Sequence, residues 1–546
     1  MSASAKKKLR KELNAAKIEE KQRKEKKETR KQKTTTAIFV AVLAVVLVAA
    51  IAIGVVSGVK NSGIIEKNTI AATVGDHKIS SLDFSFYYTD LISNTYNQWA
   101  NEFGDNMELY MMFMGLDLAQ PLDAQPHPED ASKTWADYFI DSALDRAKSE
   151  YTLYDMAMAE GHTLTEEEQA ELDSGLTSLD LIAMYSGYGD TESYLFANYG
   201  PGATLEAYTE YCTRSSLATS YYNAHADSLS FDDAAIRAYE EGKELDYTSF
   251  SYASYYVNCA AYLTGGTEDA EGTMVYTDAE REAAREAAET VANQLSGCKT
   301  VEALDKAIAA LPANASNPTA ASSHFEDSLY TAISTTISTW LAEEERVNGD
   351  TTVIPLESTT DGVTTVSGYY VVLFEGRNEN ERHLANVRHL LVSFVSESGS
   401  SNYTDAEKAA AKAEAEQILA DLKAAGTITE DAFAAKVTEL TDDTASKATG
   451  GLYTDILPVQ GIYEEAFTDW SVDPARKAGD TGIIETSYGY HIMYYVGDSA
   501  LSYRDHLISQ DLLADEMDAW YTGILEKVTV EKLDLSHVKT DIILAR

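Results

Sequence analysis

Two short segments in the second half of the chain have the apolar pattern of β-strands, and each contains a histidine. They are 386–394 (Asn-Val-Arg-His-Leu-Leu-Val-Ser-Phe), with His389, and 489–495 (Gly-Tyr-His-Ile-Met-Tyr-Tyr), with His491. Between them the pattern predicts an Ala-rich helix, a second short helix, a turn at Gly450-Gly451 and a third helix. The order strand, helix, helix, turn, helix, strand predicts an α+β domain over 381–500.

The stretch 246–380 repeats these features. From Asp246 the pattern alternates with a period of two, which predicts a strand. Two segments then match the later domain: Tyr276-Thr277-Asp278-Ala279-Glu280-Arg281 matches Tyr403-Thr404-Asp405-Ala406-Glu407-Lys408, 127 residues on, and Gly368-Tyr369-Tyr370-Val371-Val372 matches Gly489-Tyr490-His491-Ile492-Met493, 121 residues on. Thr277 and Thr404 each predict a helix start, because a Glu follows three residues later in a capping box. Two matches in the same order predict a duplicated domain.

The first half of the body, 60–245, has mainly helical periodicity and predicts a helical domain. It opens with a predicted hairpin turning at Gly75-Asp76, followed by a helix that begins at Ser80 or Ser81. The last segment, 501–546, predicts an amphipathic helix and a short strand. Because so short a segment cannot bury its apolar face alone, we expect it to dock on an earlier domain. The predicted fold class is α+β multidomain.

The amino terminus has the pattern of a membrane anchor. Residues 1–36 contain fourteen Lys or Arg and five Glu, and they predict a basic cytoplasmic arm. Within 37–59, a run of twenty uncharged residues from Ala37 to Val56 is long enough to cross a bilayer as a helix. The excess of positive charge before this run predicts a cytoplasmic amino terminus and an extracytoplasmic body. A cleaved signal peptide is the alternative, but the basic region is long and no Ala-x-Ala site follows.

Charge and cysteine content exclude several classes of function. The net charge is −45, and because 1–36 contributes +9, the remainder carries −54. A body this acidic repels nucleic acid. The cysteines, Cys212, Cys259 and Cys298, form no Cys-x-x-Cys pair and predict no zinc site. Whether Cys259 and Cys298 form a disulfide or remain free thiols depends on geometry that the sequence does not give.

Residues 381–500 resemble the parvulins, the PpiC-type peptidyl-prolyl cis–trans isomerases, most specifically through the closing motif Gly489-Tyr490-His491-Ile492. The resemblance implies an isomerase that uses no cofactor and no metal. It also implies the site residues: catalytic His389, Asp443, Thr486 and His491, and substrate-binding Leu452, Val459, Tyr463 and Phe467. The family's Gly-Gly-Asp-Leu-Gly turn is Gly-Gly-Leu-Tyr-Thr here, and the usual pocket Met and Phe are Val459 and Tyr463. These departures imply a shallower, more polar pocket.

The first copy, 246–380, has Tyr370 at the position of His491, and its opening strand has no histidine. It is therefore interpreted as a degenerate parvulin-like domain. The order of anchor, helical domain, two parvulin-like domains and returning helix resembles extracytoplasmic foldases of the PrsA/SurA type. This resemblance implies a chaperone-like role for the helical domain.

The sequence thus favours a membrane-anchored isomerase and foldase. Its expected partners are the membrane and unfolded or newly exported polypeptides with X-Pro bonds. A catalytically silent holding chaperone is the alternative, and an envelope scaffold without a folding activity is a third. The two imidazoles and Asp443 favour the enzyme, because a silent domain need not retain them. A metal pair at His383 and His389 lacks further ligands, and no Gly-x-Ser-x-Gly motif indicates a hydrolase.

Overall fold

The structure, a computed structural model, describes residues 63–270, 272–360, 363–396, 402–459, 461–540 and 542–544. Over these residues it is a mixed α+β protein. The helices are α1 Ile64–Asn68, α2 Ser81–Phe103, α3 Met107–Phe113, α4 Trp135–Glu160, α5 Glu166–Tyr185, α6 Thr191–Tyr199, α7 Leu205–Ser228, α8 Asp233–Glu240, α9 Asp278–Leu295, α10 Val301–Ala309, α11 Thr335–Leu341, α12 Asp405–Ala424, α13 Glu430–Leu440, α14 Glu465–Ser471 and α15 Tyr503–Leu525. The strands are β1 Ile70–Val74, β2 His77–Ser80, β3 Ser249–Asn258, β4 Thr267–Glu268, β5 Met274–Val275, β6 Ser323–Leu329, β7 Thr351–Thr360, β8 Val363–Asn378, β9 His383–Ser393, β10 Leu452–Ile456, β11 Thr481–Glu485, β12 Gly489–Ser502 and β13 Val530–Lys532.

The predicted basic arm, 1–36, and the predicted anchor, 37–59, lie outside the described residues. Within the part of the chain that the structure describes, no helix combines the length and the apolar composition needed to cross a bilayer.

The described chain forms two compact units, 231–512 and 63–230 with 513–544. The sequence places domain boundaries at 245 and 500, whereas the structure groups α8 and the first turns of α15 with the 231–512 unit. The reason is packing: Ile236 and Leu507 are both buried in a hydrophobic cluster of that unit. Burial of such side chains is the main force that joins elements into one unit.

The unit formed by 63–230 and 513–544 is mostly helical and has an aromatic core. Its large, fully buried side chains include Phe84, Phe86, Tyr87, Tyr88, Phe139, Tyr194 and Tyr208. The predicted hairpin and helix start are confirmed: β1 pairs with β2, and the Ser80 hydroxyl accepts a hydrogen bond from the Asp83 N–H as the N-cap of α2. The carboxy-terminal β13 pairs antiparallel with β1, Val530 lying opposite Val74.

The 231–512 unit contains two modules with the same order of elements. The first runs β3, α9, α10, β6, α11, β7, β8, with the short strands β4 and β5 inserted between β3 and α9. The second runs β9, α12, α13, β10, α14, β11, β12. The first sheet has the strand order β3-β8-β7 and the second β10-β9-β12-β11, all antiparallel. In the first module β6 lies beside β3, as β10 lies beside β9 in the second. The Phe325 ring on β6 stacks on the Tyr252 ring on β3, with ring centres 4.9 Å apart. Both predicted capping boxes, at Thr277 and Thr404, are confirmed.

A repeated local detail supports the correspondence of the modules. In the first, the Arg346 guanidinium lies 4.1 Å from the centre of the Trp340 ring, and its Nε donates to the Trp340 carbonyl oxygen at 2.9 Å. In the second, Arg476 makes the same two contacts with Trp470, at 4.5 and 3.2 Å. Because an Arg–Trp pair fixes the loop after α11 and an equivalent pair fixes the loop after α14, the two modules agree in local contacts as well as in the order of their elements.

The sheet of the second module has two different faces. One face packs α12 and α13 through Leu390, Ile492, Phe433 and Val437. The opposite face packs α14 through Val387, Met493 and Phe467. Because successive side chains of a strand point to opposite faces, His389 and His491 lie on the face covered by α14.

A third cluster joins the modules, and we call it the inter-module cluster. Its members from the first module include Phe250, Tyr252, Ile333, Ile337, Val372 and Phe374, and its later members include Leu457, Val459, Tyr503, Leu507 and Ile508. The two modules therefore share one apolar core.

Candidate active site

The two histidines meet across neighbouring strands. His389 on β9 lies opposite Met493 on β12, and His491 is two residues from Met493, so both imidazoles are on one face. Their rings are stacked with centres 5.0 Å apart, and the two Nδ1 atoms are 2.8 Å apart. Both side chains are buried, His389 at 3% exposure and His491 at 7%.

Two glycines allow this approach. A Cβ on Gly451, whose φ is +72°, would lie 2.1 Å from the His389 carbonyl oxygen, and the Gly451 carbonyl oxygen accepts the His389 N–H at 3.0 Å. A Cβ on Gly489 would lie 2.2 Å from the Val392 carbonyl oxygen. Only glycine fits at these points, which explains why the motifs around both histidines contain it.

Asp443 reaches the site from the loop after α13. That loop runs along the part of β9 that β10 leaves unpaired: the Thr441 Oγ1 accepts the Leu391 N–H at 3.1 Å, and the Asp442 N–H donates to the Leu391 carbonyl oxygen at 3.0 Å. These bonds hold the next residue, so that the Asp443 Oδ2 lies 2.9 Å from the His389 Nε2. The loop thus completes the edge of β9 and delivers a carboxylate to a buried imidazole.

Thr486 reaches the other end of the pair from the turn between β11 and β12. Its backbone N–H donates to the Gly489 carbonyl oxygen at 2.9 Å, and its Oγ1 accepts the Tyr488 N–H at 3.2 Å. With the residue fixed in this way, its Oγ1 lies 2.8 Å from the His491 Nε2. All four predicted catalytic residues therefore lie in one row.

The direction of each hydrogen bond in this row follows from Asp443. An ionised carboxylate only accepts, so the His389 Nε2 must carry the proton that it donates. The Nδ1 of a neutral His389 then accepts from the Nδ1–H of His491, and the His491 Nε2 accepts from the Thr486 hydroxyl. The row is one continuous chain, Thr486 to His491 to His389 to Asp443, in which every imidazole nitrogen has a partner.

The electrostatics favour these protonation states. Burial, together with the neighbouring His389, lowers the pKa of His491 from the usual 6.5 to about 3. Burial also lowers the pKa of His389, although Asp443 acts in the opposite direction. Burial alone would raise the pKa of the Asp443 carboxyl, but hydrogen bonds from Ser446 and His389 outweigh it and lower that pKa. At neutral pH the row holds two neutral imidazoles and one carboxylate.

Aromatic side chains stand beside the imidazoles. The Phe467 ring, on α14, meets the His389 and His491 rings edge-on, with centres 5.5 and 6.0 Å away. Tyr463 lies 5.4 Å from Phe467, and Tyr453 lies 5.6 Å from it. Phe467 is buried, while the two tyrosines are partly exposed. We call these three residues the aromatic wall.

The prediction that Leu452 lines this site needs correction. Leu452 pairs directly with Arg388, so its side chain lies on the face of the sheet opposite to His389. Tyr453, one residue on, pairs with Val387 on the histidine face, and its hydroxyl lies 3.4 Å from the Asp443 Oδ2. A shift of one residue along a strand exchanges the two faces, and this is the origin of the error.

Val459 is also located differently from the prediction. It is completely buried and belongs to the inter-module cluster, not to the aromatic wall. In this structure Val459 offers no surface to a ligand. The predicted pocket residues that the structure does bring to the histidines are Tyr463 and Phe467.

Sequence reasoning missed two side chains of the site, Tyr453 and Ser446. The Ser446 hydroxyl donates to the Asp443 Oδ2 and lies 3.2 Å from the His389 Nε2. The alternation of β10 could have identified Tyr453. Gly451 lies opposite His389, and a residue two positions after it on the strand lies on the same face of the sheet. Ser446 lies in an irregular loop, where no periodicity indicates which side chain points inward.

The first module has other residues at the histidine positions. The pair His389 and Met493 corresponds to Ser254 and Val372, and Tyr370 occupies the position of His491. Ser254 and Tyr370 have no imidazole and cannot form the equivalent row.

Residues 389–497 match the family model of the rotamase, PPIC-type PPIASE domain. No curated protein matches the sequence. Among solved structures, the peptidylprolyl isomerase PrsA from Bacillus cereus is similar, with 18% identity, a TM-score of 0.18, and coverage of 27% of this chain and 50% of that one. PrsA from Bacillus anthracis has 17% identity and a TM-score of 0.17, covering 27% and 59%. PrsA from Bacillus subtilis has 20% identity and a TM-score of 0.17, covering 26% and 47%. The chain thus spans about half the length of these structures.

Proposed function

We propose that this chain, whose residues 389–497 form a parvulin-type, PPIC-family peptidyl-prolyl isomerase domain, isomerises X-Pro bonds of exported polypeptides outside the cytoplasm and close to the membrane. The observation that carries the proposal is the continuous hydrogen-bond row from Thr486 to Asp443 with the aromatic wall beside it. A neutral polar floor next to an apolar wall is what a twisted prolyl amide requires.

The reaction is rotation about one C–N bond. Amide resonance opposes it with a barrier of about 18–20 kcal/mol, and uncatalysed exchange at X-Pro takes roughly tens to hundreds of seconds. In the perpendicular state resonance is lost, the nitrogen becomes more basic and the carbonyl oxygen less negative. No bond to carbon forms or breaks, so a site accelerates the reaction by binding the twisted amide more tightly than the planar one.

The row supplies this preference through fixed dipoles. Because all four imidazole nitrogens are engaged, His389 and His491 neither add to the substrate nor accept its proton. They form an uncharged floor whose orientation is set before the substrate arrives, and preorganised dipoles of this kind need no rearrangement during the reaction. Asp443 sets the direction of the row, and Thr486 holds its far end. The aromatic wall receives the proline ring.

The first module, in this proposal, is catalytically silent. Ser254 and Tyr370 stand where the imidazoles would be needed, and the face that would receive substrate is filled by the inter-module cluster. It is a degenerate parvulin-like domain that keeps the packing of its relative. The helical unit of 63–230 and 513–544 acts as the chaperone part, holding unfolded chain while the isomerase works.

The location follows from the sequence of the amino terminus. A basic segment, 1–36, precedes an uncharged apolar segment within 37–59, and the positive-inside rule then directs the body out of the cytoplasm. Anchored there, the protein would meet polypeptides as they emerge from the export machinery. Newly exported chains with X-Pro bonds are its proposed partners.

A proline-isomerisation assay on a short peptide tests the proposal. We expect the full chain to accelerate exchange and His491→Ala to remove most of that acceleration, because it breaks the row in the middle. His383→Ala is the matched control, since His383 is an exposed histidine on the same strand as His389. Activity that survives in His491→Ala would place the chemistry elsewhere.

The same preparations decide the alternative function. If neither the wild type nor the variants accelerate exchange, yet all suppress aggregation of an unfolded client, the chain is a silent holding chaperone.

A further inference from the structure

The segment between β10 and α14 carries part of the aromatic wall and also reaches the first module. Leu457 and Val459 are 1% and 0% exposed, and both belong to the inter-module cluster. Ile462 is partly buried against the same cluster, whereas Tyr463, the next residue, packs with Phe467 in the second module. One short segment is therefore anchored on one side and presents a site residue on the other.

The surface that anchors this segment is the face of the first module that corresponds to the histidine face of the second. The pair Tyr252 and Phe374 corresponds, by strand register, to Val387 and Tyr495 beneath the aromatic wall. Ile337, third after the N-cap of α11, corresponds to Phe467, third after the N-cap of α14. The face that binds substrate in one copy is thus occupied in the other by apolar side chains that receive Leu457 and Val459.

The far end of the segment is fixed separately. The Glu464 carboxylate accepts hydrogen bonds from the Ser487 N–H at 3.2 Å and the Ser487 hydroxyl at 3.1 Å. This ties the start of α14 to the turn that carries Thr486. Between β10 and this tie, Leu457, Val459 and Ile462 pack against the inter-module cluster, while Tyr463 packs on Tyr453 and Phe467.

We infer that the first module positions the substrate-binding segment of the second, with Val459 and Leu457 as positioning residues that hold Tyr463 in the aromatic wall. This inference rests on the proposed function, since it assigns the silent copy a role in the other copy's affinity. The imidazole row is built on β9, β12, the loop after α13 and the turn between β11 and β12, so loosening the segment leaves the row intact. The loss therefore falls on substrate binding.

Val459→Ala in the full chain tests the inference. It shortens an anchor without touching the row, and we expect KM to rise about tenfold, since releasing even one backbone residue multiplies its accessible conformations by roughly that factor. The value of kcat should change little, because the lost contact serves ground state and transition state alike. Ile337→Ala, on the first module's side of the cluster, should raise KM in the same direction although it lies outside the catalytic module.

Val371→Ala is the matched control. Val371 is equally buried and lies on β8 of the first module, but it packs on the other face of that sheet, away from the inter-module cluster. We expect it to lower thermal stability without raising KM. An equal rise in KM for Val371→Ala and Val459→Ala would overturn the inference, as would a Val459→Ala protein with the wild-type KM.

Affinity for a labelled tetrapeptide with one central Ala-Pro bond, measured by fluorescence anisotropy, separates the inference from the proposed function. If the wild type binds the peptide without isomerising it, and Val459→Ala binds about tenfold more weakly, the proposed catalysis is refuted and the positioning role is supported. A wild type that neither binds nor isomerises the peptide overturns both. Should Val459→Ala fold poorly, Ile337→Ala gives the same comparison from the other side.

Discussion

The buried, neutral His491 makes the second module sensitive to acid in a defined pH window. Its pKa is about 3 in the folded protein and about 6.5 once it is exposed. Between these two values the unfolded chain binds a proton that the folded chain does not, so the free energy of unfolding falls as the pH falls. Below about 3 both states are protonated and this contribution no longer changes.

The size of the effect follows from the same values. Each pH unit well inside the window is worth about 1.4 kcal/mol. Because the unfolded imidazole is already half protonated at pH 6.5, acidification from 6.5 to 4.5 should cost roughly 2 kcal/mol from this one side chain. This cost is a large part of the roughly 5–15 kcal/mol that stabilises a typical domain. Staying above pH 4.5 avoids the titration of Asp443, whose pKa lies below its usual 3.8.

The measurement compares the wild type with His491→Gln at pH 6.5 and 4.5. Urea unfolding is followed by pulsed amide exchange in β9 and β12, which reports on this module within the intact chain. The difference in unfolding free energy between the two pH values should be smaller by roughly 2 kcal/mol in the variant, because glutamine does not titrate. His383→Gln should keep the wild-type difference. Identical pH dependence in wild type and His491→Gln would refute a buried, neutral His491.

Two further predictions concern the row and its supports. Asp443→Asn should lower kcat/KM about 10- to 100-fold, the factor that corresponds to losing a charge-assisted hydrogen bond of roughly 1.5–3 kcal/mol. The peptide isomerisation assay measures this loss, with Asp431→Asn, at an exposed position, as the control. An equal loss of kcat/KM in both variants would contradict the role of Asp443. Gly451→Ala should destabilise the module by more than about 1 kcal/mol, because the new Cβ meets the His389 carbonyl oxygen and φ is positive. Gly523→Ala in α15, where a Cβ meets nothing within 4 Å, should be neutral or stabilising. Thermal unfolding of the full chain measures both glycine variants.

Local patterns were sufficient for much of the fold. The helix starts at Thr277 and Thr404 could be predicted because a capping box satisfies backbone groups within four residues of sequence. The strand positions of His389 and His491 could be predicted because the apolar residues around them fill both faces of a central sheet. Each of these signals depends only on neighbours in the chain, and the structure confirms each one.

The errors at the site arise where distant contacts decide. The face taken by Leu452 depends on the register that β10 adopts on β9 after the Gly451 turn, and a one-residue difference exchanges it with Tyr453. Ser446 approaches the His389 Nε2 because the loop after α13 lies along the edge of β9. Neither the register nor the course of that loop is encoded in a local period.

Val459 illustrates a different reason. In an isolated parvulin-like module this residue would be free to line the substrate pocket, and the resemblance assigns it there. In this chain a second copy of the module presents an apolar face in which no imidazole remains, and burying Val459 against that face removes it from water. The position that the family uses for a pocket Met is therefore taken here by a Val that packs between the two modules. We propose that the same face performs the isomerisation in the copy with a polar row on its floor. In the copy where Ser254 and Tyr370 replace the imidazoles, we propose that it holds the neighbouring segment in place.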